Sequence, residues 1–304
     1  MRNQRGVALV TVLLIVAMAT TVMAFMAQQQ AFWQREMING RDRAQASYIA
    51  QAGVDWARAV LADDASSNQY DHAREMWAMR LPAIPVEGGE IQGVLEDQQG
   101  LFNLNNLVQN GMTSAADVAR FQRLLATLGL SQELAYALAD WMDRDNLPAS
   151  SGGAEDGYYL NLSKPYRAAN LPLYDLSELL WVRGFDAQII QRLKGFVTVT
   201  SLSRARINVN FASAEVLSAV VDGLSLQLAR QLVTRRKETP FKMVEEFMQQ
   251  LPSGIGESSR GEISVSSEYF LVKGHATLEQ GEYVAEALLH RQSIWANVIK
   301  QSVQ

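Results

Sequence analysis

MRNQRGVALVTVLLIVAMATTVMAFMA, residues 1–27, opens the chain with a short basic segment followed by a long apolar run. The run from Val7 to Ala27 contains no charged residue and is interrupted only by threonines. As a helix, its length of about 21 residues at ~1.5 Å per residue gives roughly 30 Å, the thickness of a bilayer core. Arg2 and Arg5 precede it, and positive charge on this side places the N-terminus in the cytoplasm. The sequence therefore predicts a membrane-spanning helix that holds the rest of the chain outside.

Three kinds of targeting segment begin in this way. A cleaved secretory signal has an apolar region of about 7–15 residues and then a small-residue site, but this run is longer and continues without a break into QQQAFWQREM. The short basic leader ends in Gly6 directly before the apolar run, which resembles a class III leader that prepilin peptidase cuts between Gly6 and Val7. An uncleaved, basic-flanked anchor with a chance glycine is the alternative.

The fifth residue after this cleavage site is informative, because in pilins it is normally a glutamate. Counted from Val7, the fifth residue is Thr11. A carboxylate inside the bilayer costs about 2.5–3.5 kcal/mol, and the resemblance implies that the terminal amine of a neighbouring subunit neutralises it. A subunit with Thr11 lacks this means of capturing the subunit ahead of it, which predicts a position at the tip of a filament. In the alternative interpretation, the chain is not a pilin and Thr11 is an ordinary polar residue in a membrane helix.

Composition limits the function of the part outside the membrane. The 304 residues, 33.7 kDa, are 48% hydrophobic and 19% charged, which suits two folded domains. With 27 basic against 32 acidic residues, the chain is not a typical polyanion binder. Cysteine is absent, so disulfides, thiolate zinc sites and Fe–S clusters are excluded. The three histidines form no zinc-hydrolase motif, and the sequence lacks Walker A, G-x-S-x-G and G-x-G-x-x-G motifs.

After the apolar run, the next proline is Pro82, so the first helix is predicted to continue well beyond the membrane. Ile49, Ala52, Trp56 and Ala59 recur at spacings of three and four, which places them on one helix face. The simplest interpretation is that this stripe packs on the protein core. An interaction seam with another helix is the second interpretation.

DQQGLFNLNNL, Asp97 to Leu107, resembles the D-x-x-G-x-F-N-L-N-x-L segment of the K-type minor pseudopilins of type II secretion. The leader, a GAED loop at residues 153–156 and YRAAN at residues 166–170 extend the resemblance over nearly the whole chain. It implies a minor pseudopilin at the tip of the type II secretion pseudopilus, which initiates assembly with other minor pseudopilins and supports protein export across the outer membrane. The mechanism implied is assembly, so no enzymatic activity is expected.

The same resemblance implies the cellular context. Prepilin peptidase would cleave the chain after Gly6, and the new N-terminal residue, Val7, would be N-methylated. The mature chain would be anchored in the inner membrane by a single span, with its N-terminus in the cytoplasm and its bulk in the periplasm. The expected partners are the I-type and J-type minor pseudopilins, then the H-type, and the major pseudopilin filament. No nucleic acid is expected as a partner.

The expected fold class is α+β: a pilin-like long N-terminal helix and a small antiparallel sheet, with a large all-α insert of the helix-hairpin-helix or SAM-like type. The sheet would begin within 89–107 and end with two alternating runs, 269–276 and 283–289, joined by a turn at Gln280-Gly281. The predicted domains are the leader 1–6, the membrane segment 7–27, a pilin-like α+β domain made of 28–107 and 259–304, and an inserted helical domain at 108–258.

Residues 207–248 resemble the helix-hairpin-helix pattern of DNA-binding modules, which supplies the alternative function: a membrane-tethered helix-hairpin-helix DNA-binding protein. Such modules hold phosphate on backbone amides at a glycine-rich hairpin. The family hairpin requires G-x-G, but DGLS at residues 222–225 supplies one glycine and an acid. Residues 201–250 contain seven basic and five acidic side chains, a small excess. A degenerate helical scaffold is therefore favoured over a DNA-binding site.

An acidic loop is the main candidate for a metal site. Residues 140–156 carry five carboxylates and one arginine, a charge arrangement that repels itself. Ca²⁺ relieves such repulsion because it takes about 6–8 oxygen ligands and tolerates irregular geometry. The loop is not an EF-hand, since Pro148 occupies the sixth position counted from Asp143, where a glycine is required.

Resemblance to the K-type pseudopilins implies that this loop binds calcium, with a structural role. We assign as its ligands Asp143, Asp145, Glu155 and Asp156. Asp140 would support the site or end a helix. The alternative is a solvated loop whose carboxylates pair with Arg144 and Arg167. Paired carboxylates also occur in glycosidases and metal-dependent hydrolases, but no histidine base lies nearby in the sequence.

Overall fold

One long helix leads from the apolar N-terminal run into the folded body. The computed structural model describes residues 4–86, 89–149, 152–200, 204–278 and 281–303. Helix α1 (Gln4–Ser67) is continuous over 64 residues, roughly 96 Å at 1.5 Å per residue. Its part from Val7 to Ala27 is exposed throughout and is long and apolar enough to cross a membrane. By length and composition, this helix fits a single-pass anchor.

The hydroxyl groups of the apolar run are satisfied inside the helix itself. The Thr11 hydroxyl donates to the carbonyls of Val7 at 3.1 Å and of Ala8 at 2.9 Å. The two later threonines both donate to the carbonyl of Ala17. A bilayer core offers no water to replace these hydrogen bonds, so internal satisfaction is what a membrane helix requires. None of these three threonines needs a polar partner from outside the helix.

Beyond α1, the chain folds into short helices and strands. The α-helices are α2 (Ala115–Thr127), α3 (Leu134–Met142), α4 (Asp156–Tyr159), α5 (Ala187–Leu193), α6 (Ala214–Val220), α7 (Leu226–Arg236) and α8 (Val244–Met248). Short 3-10 helices lie at Met76–Ala78, Leu104–Leu107, Leu176–Trp181 and Glu257–Glu262. The strands are β1 (Leu81–Val86), β2 (Gly89–Asp97), β3 (Phe102–Asn103), β4 (Val108–Gln109), β5 (Met112–Thr113), β6 (Val197–Thr198), β7 (Ile207–Asn208), β8 (Ile263–Ser264), β9 (Tyr269–Leu278), β10 (Gly281–His290) and β11 (Asn297–Val303).

The sheet has the order β1-β2-β9-β10-β11, and every neighbouring pair is antiparallel. The C-terminal hairpin predicted from the sequence is confirmed as β9 and β10, and Gln280 in its predicted turn lies outside the described residues. The segment after the hairpin forms β11, a separate edge strand. β1 does not read as a strand in the sequence, because Pro82 and Pro85 interrupt it. Proline is tolerated there because β1 is the opposite edge of the sheet.

The second part of α1 packs its small and aliphatic residues against this sheet. The buried residues Ala50, Val54, Ala57 and Leu61 recur at spacings of four, three and four. The last three of them belong to a core that consists of Val54, Ala57, Leu61, Trp77, Leu95, Phe270, Val272, Ala287, Leu289 and Ala296. One face of the helix therefore belongs to the same hydrophobic core as the central strands.

The stripe that the sequence analysis assigned to the core lies on a different face, so that assignment is wrong. Ala52 and Ala59 are exposed, Ile49 is half-buried and Trp56 is 40% exposed. Both stripes have helical spacing and both are rich in alanine, so periodicity alone does not rank them. The larger Trp56 favoured the wrong one. The second interpretation, an interaction seam, stays a prediction for this stripe of Ile49, Ala52, Trp56 and Ala59.

The helical insert has a core of its own. Phe102, Leu104 and Leu107 on its N-terminal side and Ile263 on its C-terminal side are buried in that core. Packing thus extends the insert beyond the bounds of 108–258 drawn from the sequence. The insert also differs from the expected all-α unit, because it contains the short strand pairs β3–β6, β4–β5 and β7–β8.

The D-x-x-G motif marks the point where the chain leaves the sheet for the insert. Asp97 ends β2, and its carboxylate accepts a hydrogen bond from the backbone N–H of Gly100. A Cβ at Gly100 would lie only 2.7 Å from the Cβ of Phe211, so glycine allows the close approach of these two segments. Burial raises the pKa of Asp97 to about 7. The motif is therefore a packing requirement of this chain reversal.

Arg291 joins α1, its following connection and the sheet. Its guanidinium lies 3.0 Å from Asp64 Oδ2 in α1 and 2.6 Å from Asp71 Oδ1. It also donates to the carbonyl of Ser267 at 2.8 Å and lies 4.7 Å from the centroid of the Phe270 ring. Burial raises the pKa of Asp71 to about 6, although the charge of Arg291 opposes this shift.

The pKa of Asp97 predicts a pH-dependent contribution to stability. In the unfolded chain this carboxyl has its ordinary pKa of 3.8, whereas in the folded protein the pKa is about 7. Between these pH values the folded state keeps a proton that the unfolded state has lost. The contribution of Asp97 is therefore fully present below about pH 4 and is lost as the pH rises to about 7. We expect Asp97→Asn to abolish this decline.

The measurement is denaturant unfolding of the full-length chain in detergent between pH 4 and pH 8. The difference in unfolding free energy between wild type and Asp97→Asn should change between pH 4 and about pH 7 and be constant above about pH 7. Glu90→Gln, which removes an exposed carboxylate from the same strand, is the control. A pH profile of Asp97→Asn that parallels wild type would contradict the prediction.

Candidate functional site

Three carboxylates of the acidic loop converge in the structure. Asp143 is the C-cap of α3, Asp145 lies two residues beyond it, and Glu155 is the N-cap of α4. Each offers one oxygen, and these oxygens lie within 4.8 Å of one another. The ends of two helices therefore bring together three of the four residues assigned as ligands from the sequence.

Of the three converging carboxylates, that of Glu155 is the least favourable to ionise. The residue is 3% exposed, and neither of its carboxylate oxygens has a hydrogen-bond partner among the described residues. Burial first, and then repulsion from Asp140, Asp143 and neighbouring carboxylates, raises the pKa of Glu155 to about 8. A buried carboxylate without a partner is costly. The arrangement therefore needs a proton or a cation at this position.

Asp143 is held by a residue from a distant part of the chain. The hydroxyl of Thr113, in β5, donates to Asp143 Oδ2 at 2.7 Å, while Oδ1 is buried with no partner in the described chain. Burial raises the pKa of Asp143. Asp145 is exposed, and its Oδ1 accepts the N–H of Leu147 at 2.8 Å. Thr113 was not predicted as part of this site, because no local sequence pattern indicates that β5 returns to this loop.

Asp140 fastens the loop and is not part of the converging group. Its Oδ2 accepts the backbone N–H of Ala149 at 3.0 Å. A Cβ at Gly153 would collide with this carboxylate and with the backbone of Ala149, so the loop closes tightly only with glycine there. Burial raises the pKa of Asp140 to about 6. This geometry fits the supporting role considered for Asp140.

Asp156, the fourth residue assigned as a ligand, is engaged with the YRAAN segment. Its Oδ2 lies 3.0 Å from a guanidinium nitrogen of Arg167, and its Oδ1 accepts the N–H of Ala168 at 3.1 Å. The N–H of Asn170 donates to the carbonyl of Trp141 at 2.9 Å. YRAAN thus ties the start of α4 to the end of α3. In this arrangement Asp156 positions the loop, and its assignment as a ligand stays a prediction.

Aromatic packing joins the two helices that bear Asp143 and Glu155. Trp141 of α3 meets Tyr159 of α4 edge to face, with ring centroids 5.1 Å apart. Tyr159 is completely buried and also lies 5.3 Å from the ring of Tyr166. These contacts fix the distance between the helix ends. Apolar surroundings strengthen both the repulsion among the carboxylates and their attraction for a cation.

The residues present fit a hard cation. All three converging side chains offer oxygen, the ligand atom that Ca²⁺ and Mg²⁺ take. The unpartnered oxygens of Glu155 and Asp143 are buried, so they gain most from a ligand. The irregular loop between the two helix ends suits Ca²⁺, which accepts flexible geometry, better than Mg²⁺, which demands an octahedron.

A second group of carboxylates provides a contrast. Asp64, Asp71 and Glu75 also converge, but the guanidinium of Arg291 contacts the first two. Glu75 accepts the indole N–H of Trp77 at 2.7 Å. This group is therefore neutralised and hydrogen-bonded within the protein, which makes it a structural ion-pair cluster.

The N-terminal candidate residues lie on the exposed part of α1. Gly6 and Val7 fall within the helix, and Thr11 lies about one turn further along it. Residues 1–3 of the leader lie outside the described residues. Cleavage between Gly6 and Val7 stays a prediction. The hydroxyl of Thr11 is hydrogen-bonded within the helix, as described above.

The helix-hairpin-helix region is formed by α6 and α7, whose charges are engaged within the chain. Asp222 at the hairpin lies 2.7 Å from Arg123. Arg230 lies 3.6 Å from Glu215, and Arg236 donates to a backbone carbonyl. An acid at the hairpin and bases with protein partners do not form the phosphate cradle of a DNA-binding module.

Comparison with known proteins shows what this arrangement is similar to. Two family models, both described as type II secretion system (T2SS) protein K, match residues 100–202 and 207–266. These two ranges include the acidic loop, the YRAAN segment and the helix-hairpin-helix region.

Individual relatives match over almost the full chain. Type II secretion system protein K of Pseudomonas aeruginosa is 35% identical over 301 residues, covering 95% of this chain and 90% of that protein. The protein of the same name from Klebsiella pneumoniae is 33% identical, covering 98% and 96%. Among solved structures, a chain of the GspK-GspI-GspJ complex from enterotoxigenic Escherichia coli matches with a TM-score of 0.78 and 26% identity. That match covers 88% of this chain and 99% of the other.

Proposed function

Because the chain belongs to the type II secretion system protein K family, we propose that it is the minor pseudopilin at the tip of the secretion pseudopilus. There it initiates assembly with other minor pseudopilins and supports protein export across the outer membrane. The observation that carries the tip position is Thr11, whose hydroxyl bonds to carbonyls of its own helix. Thr11 has no charge with which to bind the terminal amine of a subunit ahead of it. A subunit without this interaction suits only a position where no subunit lies ahead, which is the tip.

The proposed partners are the I-type and J-type minor pseudopilins, followed by the H-type and the major pseudopilin filament. The matched solved structure is a complex of GspK with GspI and GspJ. In this chain, the exposed stripe on α1, Ile49 to Ala59, offers a surface with the three- and four-residue spacing of a helix–helix seam. The sheet occupies a different face of the helix, so α1 can contact both at once.

The size of the insert supports an end position as well. The insert lies between β2 and β9 in the chain and has a hydrophobic core separate from that of the sheet. A subunit carrying so large an additional unit is too wide to repeat along a packed helical filament. At the tip, no subunit above it competes for the space.

We propose that Asp143, Asp145 and Glu155 bind Ca²⁺, and that its role is structural. Bound calcium supplies positive charge that neutralises the three carboxylates. The residues of this chain do the rest, because Thr113 holds Asp143 and the Trp141–Tyr159 contact fixes the two helix ends. Asp156 is held by Arg167, and its role as a further ligand stays a prediction.

The first prediction from this proposal concerns the N-terminus. In cells that contain prepilin peptidase, we expect the chain isolated from inner membranes to begin at Val7 with a methylated amine. Without the peptidase it should begin at Met1. Intact mass and N-terminal sequencing of the full chain distinguish the two. A chain that begins at Met1 in both cases would identify an uncleaved anchor and contradict the pseudopilin assignment.

A second prediction addresses the tip position. Thr11→Glu introduces a carboxylate into the apolar run at a cost of about 2.5–3.5 kcal/mol if it is not neutralised. At a tip no subunit ahead supplies a neutralising amine. We therefore expect Thr11→Glu to leave pseudopilus assembly and secretion unchanged or to reduce them, measured by shearing filaments and assaying exported protein. Increased assembly would show that a subunit sits ahead of this one.

The third prediction tests the calcium site. A ligand present at about 100 times its dissociation constant stabilises the folded state by ~2.7 kcal/mol. We expect millimolar Ca²⁺ to raise the unfolding temperature of the wild-type chain, and Glu155→Gln to remove this rise. Glu257→Gln, an exposed carboxylate of the insert, should retain it. Differential scanning calorimetry with Ca²⁺ or with chelator measures both.

The same calorimetry separates the two roles of Asp156. If Asp156 acts through its ion pair with Arg167, Asp156→Asn should lower the unfolding temperature while the rise caused by Ca²⁺ persists. Loss of the calcium effect in Asp156→Asn would make it a ligand. A calcium effect that survives in Glu155→Gln would contradict the proposed site altogether.

A further inference from the structure

A cavity of about 330 Å³ lies between α1 and the sheet. For scale, an engineered cavity of about 150 Å³ holds a benzene molecule. The small residues that line it are Ala50, Gly53 and Ala57 on α1 and Gly93, Gly274 and Ala285 on the sheet. The three sheet residues are direct neighbours in register across β2, β9 and β10, so they form one row with little side-chain volume.

Two of these glycines are not explained by packing within the chain. A Cβ at Gly53 would meet nothing within 4 Å, and a Cβ at Gly274 would meet the Cβ of Ala285 only at 3.8 Å, an ordinary contact. Glycine is less favourable than alanine inside a helix and is depleted in strands. In a strand it often marks a place where another group approaches closely. The two glycines keep open a space that this chain does not fill.

The cavity is continuous with the exposed stripe on α1. Ile49, Ala52 and Trp56 of that stripe also line it. A helix that packs along the stripe would therefore lie beside the opening of the cavity. Such a helix presents side chains at every third or fourth position, so one of them faces the opening.

We propose that this cavity receives one bulky apolar side chain from the N-terminal helix of a neighbouring minor pseudopilin. The inference rests on the proposed function and adds to it the anchor point of the contact. An apolar side chain enclosed in a pocket and surrounded by weaker contacts is the usual form of an interface hot spot. The cavity selects the partner by the size of one residue, while the stripe sets the direction of its helix.

Leucine variants that fill the cavity test this proposal. The full-length chain is co-expressed with the I-type and J-type pseudopilins, and the partners recovered with it from detergent are quantified. Ala285→Leu and Gly53→Leu should raise the unfolding temperature of the chain alone by about 2–4 °C, because they fill a void. They should reduce the recovered partners by about tenfold or more. Stability and assembly would thus change in opposite directions.

Gly40→Leu is the matched control. Gly40 also lies in α1, a Cβ there also meets nothing within 4 Å, and it does not line the cavity. We expect this variant to bind the partners as wild type does. Undiminished binding by Ala285→Leu and Gly53→Leu would overturn the inference and leave the proposed function intact. Failure of the wild-type chain to recover any partner would instead contradict the proposed function.

Cysteine labelling keeps the inference testable if leucine disturbs folding. The chain contains no cysteine, so Ala285→Cys provides a single thiol at the cavity. Its reaction with a maleimide should be about tenfold slower in the complex than in the chain alone. Val284→Cys, on the opposite face of the same strand, should react equally fast in both. Equal labelling rates of Ala285→Cys in the complex and in the chain alone would overturn the proposal. Slow labelling in the chain alone that becomes fast after delipidation would also overturn it, because it would show that an acyl chain occupies the cavity.

Discussion

Arg291 neutralises the buried carboxylate of Asp71 and the half-buried one of Asp64 at the place where α1, the connection after it and the sheet meet. Asp64 and Asp71 come from the N-terminal part of the chain, whereas Arg291 follows β10 near the C-terminus. Removing one partner of such a group leaves a buried charge uncompensated, which is strongly destabilising. The pair therefore makes the position of α1 on the sheet depend on the last hairpin. Together with the hydrophobic core beneath α1, this contact orients what the helix presents outward, including the stripe with Trp56.

In the acidic loop, unlike around Arg291, buried carboxylates have no positively charged side chain of the protein to neutralise them in the described chain. Around Arg291 the protein supplies its own cation, but Glu155 is left buried with both oxygens unpartnered in the described chain. The surrounding packing keeps the carboxylates close even though they repel one another, because Trp141 and Tyr159 hold the helix ends together. A cation that relieves the repulsion would add stability without moving these elements. Apolar contacts thus preorganise the loop, and a bound cation would neutralise its carboxylates.

The sequence predicted the residue types of the candidate site better than their roles. Asp143, Asp145 and Glu155 converge as expected, because carboxylates carried by one short loop cannot lie far apart. Arg167 was considered as a partner of the loop, but the structure was needed to show that its ion pair is with Asp156. The hydroxyl of Thr113 reaches Asp143 only because a distant segment folds back, which local spacing does not encode. The C-terminal hairpin was predictable because alternation and turn residues are local signals. The edge strand β1 was missed because its prolines are tolerated only at an edge.

By itself, the sequence determined the properties that depend on composition and local periodicity. It determined a long apolar run of membrane length, a first helix without proline, an α+β chain with a helical insert, and a crowded acidic loop. Only the tertiary structure decided which face of α1 is buried, because Ala50 and Ala52 are equally apolar and differ only in what lies opposite them. It also decided which carboxylates face one another and where Gly53 and Gly274 leave a cavity. These properties depend on contacts between residues far apart in the chain, and a side chain's burial or pairing is set by those neighbours.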